Sequence, residues 1–293
     1  MRVDLMYSAL NGLSVGDALG AQFFMAGRSL PDLLAGRPPA GPWEWTDDTE
    51  MACNLVTELR DHTSVDQDRL AATFADRCEP YRGYGAGAVV ILHKIRDGVP
   101  WRDAASAAFN GQGSCGNGAA MRIAPLGAYF ADDLDKVVAQ ARLSAEVTHQ
   151  HPEGITGGIA VALGAALAAR ARLAGTRPSP REFIDAVLDR IDNGQTKRLL
   201  VRARTLLGKS VEEAAYELGN GSRVTAQDTV PFTLWVAANF LDDYHTAITK
   251  CISVGGDIDT TSAIVGGIVA AHTDDIPPSW LAAREDLPSW ATL

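Results

Sequence analysis

A mostly α-helical fold is what this sequence predicts, on three observations. Apolar residues recur at i, i+3 and i+4 through most of the chain, and β-branched alternation over four to eight positions is scarce. No long low-complexity linker divides the 293 residues, so one domain over 1–293 is the economical organisation.

The helical segments follow in order. "DTEMACNLVTELRDH" sets Met51, Leu55 and Leu59 four residues apart, on one helix face. "RLAATFADRC", "AGAVVILHKIRDG" and "DLDKVVAQARLSAEVT" continue the pattern. "ITGGIAVALGAALAARARLAG" is apolar nearly all round, which marks a helix enclosed by other helices. Its Gly157, Gly158 and Gly164 cost helix propensity and permit close packing. "SPREFIDAVLDRI", "TKRLLVRARTLLG" and "SVEEAAYELG" come next, the first beginning in a Pro-rich surface excursion, "GTRPSPREF". "VPFTLWVAANFLDDYHTAITKCISVG" reads as two helices parted around Asp242 and Asp243, and "DIDTTSAIVGGIVAAH" as a last one with an acid-rich start. The segments expected to be loops, and to carry the unusual chemistry, are 12–27, 41–49, 109–122, 148–154 and 253–261.

Composition narrows the function. With 46% hydrophobic and 21% charged residues, the chain has the make-up of a soluble globular protein. A net charge of -10 without a basic stripe argues against nucleic-acid binding, which needs a positive footprint. No apolar run reaches roughly 18 residues, and the first 20 residues lack the ordered regions of a signal peptide, so a cytoplasmic protein without membrane attachment is expected. Cys53, Cys78, Cys115 and Cys251 lie far apart with no Cys-x-x-Cys pair, which disfavours a disulfide scaffold and structural zinc.

Two acidic turns stand out. In "WEWTDDTEMACNLV", Thr46 or Asp47 can cap a helix and Glu50 stands close to a capping box, yet capping does not need Thr46, Asp47, Asp48 and Glu50 together. Adjacent carboxylates repel unless a cation or a proton compensates them. In "GGDIDTT", Asp257 and Asp259 are two apart and would not share a face of an ideal helix, but a glycine-led turn can converge both, with Thr260, onto one point. Converged, the two turns would make a hard-oxygen site suited to Mg2+ or Mn2+; kept apart, each is an over-built helix cap. A third stretch, "FNGQGSCGNGAAMRIAP", has glycines at 111, 113, 116 and 118 ahead of a helix start and can turn backbone N–H groups toward phosphate oxygens, or serve as a tight structural turn. It matches neither a P-loop nor a Rossmann fingerprint. Arg122 bridges buried carbonyls or meets a ligand. In "THQHPEG", His149 and His151 read as one pocket residue and one polar loop residue.

Taken together, "GLSVGDALGAQF", "WTDDTEMA", "GSCGNGAAMRIAPLG", "THQHPEG", "AQDTVPFTLW" and "GGDIDTTSAIVGGIVAA" resemble the ADP-ribosylglycohydrolase family, in that family's order and over essentially the whole chain. The resemblance implies a single-domain, all-α orthogonal helical bundle with two Mg2+ ions, or Mn2+, at the mouth of an ADP-ribose cleft. It implies Thr46, Asp47, Asp48, Asp257, Asp259 and Thr260 as the metal shell. Gly113, Ser114, Gly116, Asn117 and Gly118 would line the pyrophosphate and distal ribose; Phe109, Cys115 and Met121 would shape the nucleotide pocket; His149 would contact the ligand. The implied reaction is metal-assisted cleavage at C1 of the distal ribose, with Asp48 or Asp259 as base or water-positioning group. Release of inorganic phosphate from an ADP-ribose-like metabolite, or ADP-ribose binding without turnover, are the alternatives. One position departs from the pattern. Where the serine-directed branch carries a glutamate, four residues after "GDALG", this chain has Phe24, which can neither move a proton nor ligate a cation. That argues against serine-linked release and for another linkage or loss of hydrolysis. Arg223, in a stretch without the aromatic of some relatives, covers a base or faces solvent.

Overall fold

The computed structural model describes residues 2–292. The fold is all-α: among these residues there is no strand, only two isolated bridges, Trp43 with Arg284 and Gly116 with Thr225. Six helices carry the argument: α1 (Arg2–Gln22), α2 (Asp47–His62), α3 (Leu134–Glu146), α4 (Pro152–Ala174), α5 (Ala226–Asn239) and α6 (Ile258–His272).

Helix α1 corrects an expectation, since residues 12–22 are helix, not loop. Gly12, Gly16 and Gly20 are spaced by one helical turn and form a seam against α6. A Cβ on Gly12 would stand 2.2 Å from the Ala270 methyl, one on Gly16 2.2 Å from the Ser262 carbonyl oxygen, and one on Gly20 2.7 Å from that of Ile258. The glycines are there to let two backbones touch, and that packing offsets their cost of about 1 kcal/mol each in a helix. From α6, Gly266 answers Gly12 in the same way, and the Tyr244 hydroxyl donates to the Gly12 carbonyl at 2.6 Å.

Helix α4 is the buried post expected from its all-round apolar sequence. It is long and apolar enough to cross a membrane, but 83% of that apolar window is covered by the rest of the fold. His151 caps its start and Pro152 follows at the first helical position, where a missing N–H costs nothing. Gly157 lies against Ala226 and Gly164 against Leu234, so the glycines again bring a neighbour close, here α5. Helix α5 stops at Asn239, and Asp243 caps the next helix, Tyr244–Ser253, through the Thr246 amide, which sets the break at the two aspartates. One continuous apolar core packs α1, α4, α5 and α6 together. The starts of α2 and α6 and the middle of α1 thereby meet.

Candidate metal centre and glycine-rich turn

The centre is organised by Asp17, a residue that the sequence reading did not single out. It sits in mid-α1, one residue beyond Gly16, and is fully buried. Its Oδ2 accepts from the amides of Thr46 at 2.9 Å and Thr49 at 3.1 Å and from the Thr49 hydroxyl at 2.5 Å; its Oδ1 accepts from the Thr46 hydroxyl at 2.8 Å. Asp17 thus takes up the Thr46 and Thr49 amides at the start of α2, while the Thr46 hydroxyl accepts from the Asp48 amide, so most of the capping is done from outside the segment. Its signal in the sequence was an acid inside the small, apolar run "LSVGDALGA", where no exposed face exists to hold it.

Freed from that task, the acids of α2 have other surroundings. Thr46 is the N-cap, and its hydroxyl bridges Asp17 to Asp48 Oδ2 at 3.1 Å. Asp48 is 1% exposed; its Oδ2 also meets the Thr260 hydroxyl at 3.5 Å, while its Oδ1 is buried without any hydrogen-bond partner. Glu50 is not part of a capping box. It accepts from the Tyr84 hydroxyl at 2.6 Å and the Glu79 amide at 3.1 Å, so it anchors the segment before Gly85. At the start of α6, Asp257 holds the N-cap position but makes no capping bond; its Oδ2 accepts from the Asn117 amide group at 2.7 Å. Asp259 Oδ1 accepts from the Thr260 amide at 2.8 Å.

Oxygen atoms of Asp17, Asp48 and Asp259 all lie within 4.8 Å of one another, brought from α1, α2 and α6. Asp47 and Asp257 stand outside that tight set but close enough to act on it by charge. Burial raises the pKa of all five carboxyl groups. Asp47, pushed up by burial and by the charges of Asp17 and Asp257, reaches about 8. For Asp48 and Asp259 burial and neighbouring carboxylates push in the same direction, well above the usual range. No cationic side chain pairs with any of the five among the described residues. An all-oxygen donor set with surplus negative charge and an unpartnered buried oxygen fits a hard divalent cation.

The second part of the site is the glycine-rich turn. Gly113 has a φ of 73° and packs on the Gln150–His151 backbone, where any side chain would clash. The Ser114 hydroxyl accepts from the Gly116 amide, and the Cys115 carbonyl and Asn117 amide pair with Ala226 and Val224, which fastens the turn to the start of α5. The His149 ring is 7% exposed and lies against Gly116 and Gly118; Met121 is buried beneath. Asn117 joins the two parts, donating to Thr229 Oγ1 as well as Asp257. Phe109 stands apart from this knot, exposed, its ring over Gly87, and with Asn110 it adopts positive φ. Cys115 is half-buried. Arg122 is fully buried and donates to the Ser144 carbonyl, as the bridging alternative had it. Phe24 lies in the exposed turn after α1, and the Arg223 side chain faces solvent.

A family model described as ADP-ribosylglycohydrolase matches residues 2–293. ADP-ribosylhydrolase ARH3 of Gallus gallus is 31% identical over 326 residues, covering 92% of this chain and 86% of that protein. The Homo sapiens protein of the same name is 32% identical over 274 residues, covering 82% and 74%. A solved structure described as an ADP-ribosylglycohydrolase-related protein complex is similar at a TM-score of 0.68 and 27% identity, over 97% of this chain and 93% of that one.

Proposed function

The chain belongs to the ADP-ribosylglycohydrolase family, and from that premise we propose that it is a divalent-cation-dependent hydrolase that cleaves an ADP-ribosyl linkage at C1 of the distal ribose. The observation that carries the reading is the meeting of Asp17, Asp48 and Asp259 from three helices, with Asp48 Oδ1 buried and unpartnered. Asp47, Asp48, Asp257, Asp259, Thr46 and Thr260 would hold two Mg2+, or Mn2+, with Asp17 added to the set. Bound there, such ions supply positive charge to stabilise the breaking bond and lower the pKa of a water.

The protein's own residues do the rest. Asp48, sealed from solvent, is a ligand. Asp259 is less buried, with Oδ1 taken by the Thr260 amide, and is the better placed of the two to orient a water and receive its proton. The turn from Gly113 to Gly118 would present the amides of Ser114, Cys115 and Gly118, which have no partner among the described residues, and the Asn117 Oδ1 to the pyrophosphate and ribose, His149 would donate from the side, and Phe109, Cys115 and Met121 would border the base. Residue 24 is an exposed phenyl ring, so no proton reaches the leaving group from that position. An acyl-linked ADP-ribose, which departs as a carboxylate, is therefore favoured over a serine glycoside, which needs its oxygen protonated.

The test is product analysis with the purified protein on acyl-, arginine- and serine-linked ADP-ribose, each with Mg2+ and with chelator, beside Asp48→Ala. Free ADP-ribose formed from the acyl ester only with Mg2+ and only by the unmodified chain is the expected result. Release of inorganic phosphate would point to phosphoester hydrolysis, and no metal-dependent turnover on any substrate would sink the enzymatic reading.

A further inference from the structure

Arg122 is a cation in the core with no acidic partner among the described residues. Its guanidinium donates to the Ser144 carbonyl at 2.7 Å and to the Thr148 hydroxyl at 3.0 Å, touches Met51 Sδ and lies over the Phe74 ring. Burial brings its pKa down to about 9, which leaves it charged at neutral pH. Satisfying a carbonyl in the last turn of α3 accounts for the first contact, since a cation is favoured at a helix C-terminus. The second contact has a further consequence, because a guanidinium can only donate.

The Thr148 hydroxyl accepts from Arg122 and has one proton of its own to give. The remaining hydrogen-bonding atom within reach of that hydroxyl is His149 Nδ1, at 2.8 Å. Thr148 makes no hydrogen bond to the Ser144 carbonyl, the usual acceptor for a threonine four residues on, and its hydroxyl meets only Arg122 and His149 among the described residues. Thr148 therefore donates to Nδ1, and a neutral imidazole that accepts at Nδ1 carries its proton at Nε2. Burial and the Arg122 charge hold the His149 pKa down to about 3, in keeping with a neutral ring. Nε2 itself has no hydrogen-bond partner among the described residues, although the side chain is almost wholly enclosed. It lies beside Gly116 and Gly118, whose lack of a side chain leaves it room: a Cβ on either would come within 3.2 Å of that nitrogen.

We propose that Arg122 and Thr148 are positioning residues that fix His149 as the neutral Nε2–H tautomer, a ready-made donor to a ligand oxygen seated on the glycine-rich turn. The ligand half of this rests on the functional reading above; the tautomer half does not. An Nδ1–H ring would offer a lone pair at the same place and repel the oxygens that the turn is built to receive. The relay runs from a fixed charge through one hydroxyl, so the direction of each hydrogen bond follows from Arg122 alone.

The test uses the full chain labelled with 15N at its histidines and long-range proton–nitrogen correlation at neutral pH. The signal of His149 is assigned by its loss in His149→Asn or, should that variant not fold, by substituting the other five histidines in turn. The expected result is a protonated Nε2 and a bare Nδ1 in the unmodified chain, a measurable Nδ1–H fraction in Thr148→Val, and return to Nε2–H in Thr148→Ser. In calorimetric titrations with ADP-ribose, Thr148→Val binds about tenfold more weakly and Thr148→Ser as the unmodified chain does, the size expected for loss of one well-placed donor. An Nδ1–H ring in the unmodified chain, or an unchanged Nε2–H ring in Thr148→Val, overturns the relay. A shifted tautomer with unchanged ADP-ribose affinity overturns the ligand half. If the unmodified chain does not bind ADP-ribose, the functional reading and the ligand half fall, and the nitrogen spectra still decide the relay.

Discussion

The acidic knot and the glycine-rich turn are neighbours built on opposite electrostatic plans. The knot gathers five carboxyl groups with raised pKa values and no cationic side chain paired with them. The turn has no acid of its own; it offers backbone amides, the Asn117 side chain and a His149 ring held neutral. Without cations the first region is poised against itself, whereas the second carries no such opposition and only keeps a donor, His149 Nε2, free for a ligand. The difference teaches that only one of them needs something bound in order to be stable, and it gives each a different response to substitution and pH.

The largest expected effect falls on the knot. Asp48→Ala and Asp259→Ala each lower kcat/KM for the acyl-linked substrate by about 10³-fold, the scale of losing a group that stabilises the transition state. Asp48→Asn is as damaging to turnover but raises the melting temperature of the metal-free protein at neutral pH, since the folded chain no longer has to hold a carboxyl protonated that the unfolded chain ionises; the gain is about 1–2 kcal/mol. A metal-free protein destabilised by that change would break the comparison. Next comes the seam that brings the knot together. Gly16→Ala forces a methyl to within 2.2 Å of the Ser262 carbonyl oxygen and costs about 3 kcal/mol by denaturant unfolding, at the upper end for overpacking. Because Asp17 follows directly, divalent-cation affinity falls with it, whereas Gly175→Ala, at a helix end with open space around it, leaves affinity unchanged.

The pH response separates the two regions by sign. The carboxyl groups of the knot have folded pKa values above their unfolded ones, so as pH rises from about 4 the unfolded chain gives up protons first and stability falls. That loss continues to about 8, where Asp47 ionises in the folded chain. His149 is the reverse. Its folded pKa is lowered to about 3, so its contribution is present above about 6.5 and is lost as pH falls, when only the unfolded ring takes up a proton. Melting curves in chelator are thus expected to show lower stability at pH 8 than at pH 7, where His149 no longer opposes the knot, and Mg2+ should flatten that slope. A chelated protein that gains stability over this interval would contradict the assignment. The smallest effect belongs to the link between the regions. Asn117→Ala removes donors to Asp257 and Thr229 and raises KM about fivefold, near 1 kcal/mol, with kcat changed less.

How much of this was legible in the sequence depended on where each residue stood in its helix. Thr46, Asp47, Asp48, Asp257, Asp259 and Thr260 could be read because they crowd helix starts, where one acid suffices and the surplus asks for another reason. The long helices were legible for a related cause, a sustained period with capping residues such as Asp243 at the breaks. Asp17 could not be read as part of a site by the same logic, since mid-helix it has no capping role to exceed, and its partners Thr46 and Thr49 come from a segment some thirty residues away. The segment from Gly12 to Gly20 reads as loop by itself, since glycine lowers helix propensity; the seam makes sense only once α6, some 250 residues later in the chain, is known to lie against it. Arg122 was half-legible. Its sequence neighbours announced burial, but the hydroxyl that passes its influence to His149 lies on another segment.

The central claim is that Asp17, Asp48 and Asp259 form a cation site, and calorimetric titration of Mg2+ into metal-stripped protein tests it most directly. Run at neutral pH in buffers of different ionisation enthalpy, it should show saturable binding accompanied by proton release, because carboxyl groups held protonated by burial must ionise to take the ion. Asp48→Asn should abolish both signals. Absence of binding heat in the unmodified chain, or binding and proton release that survive Asp48→Asn unchanged, would contradict the account.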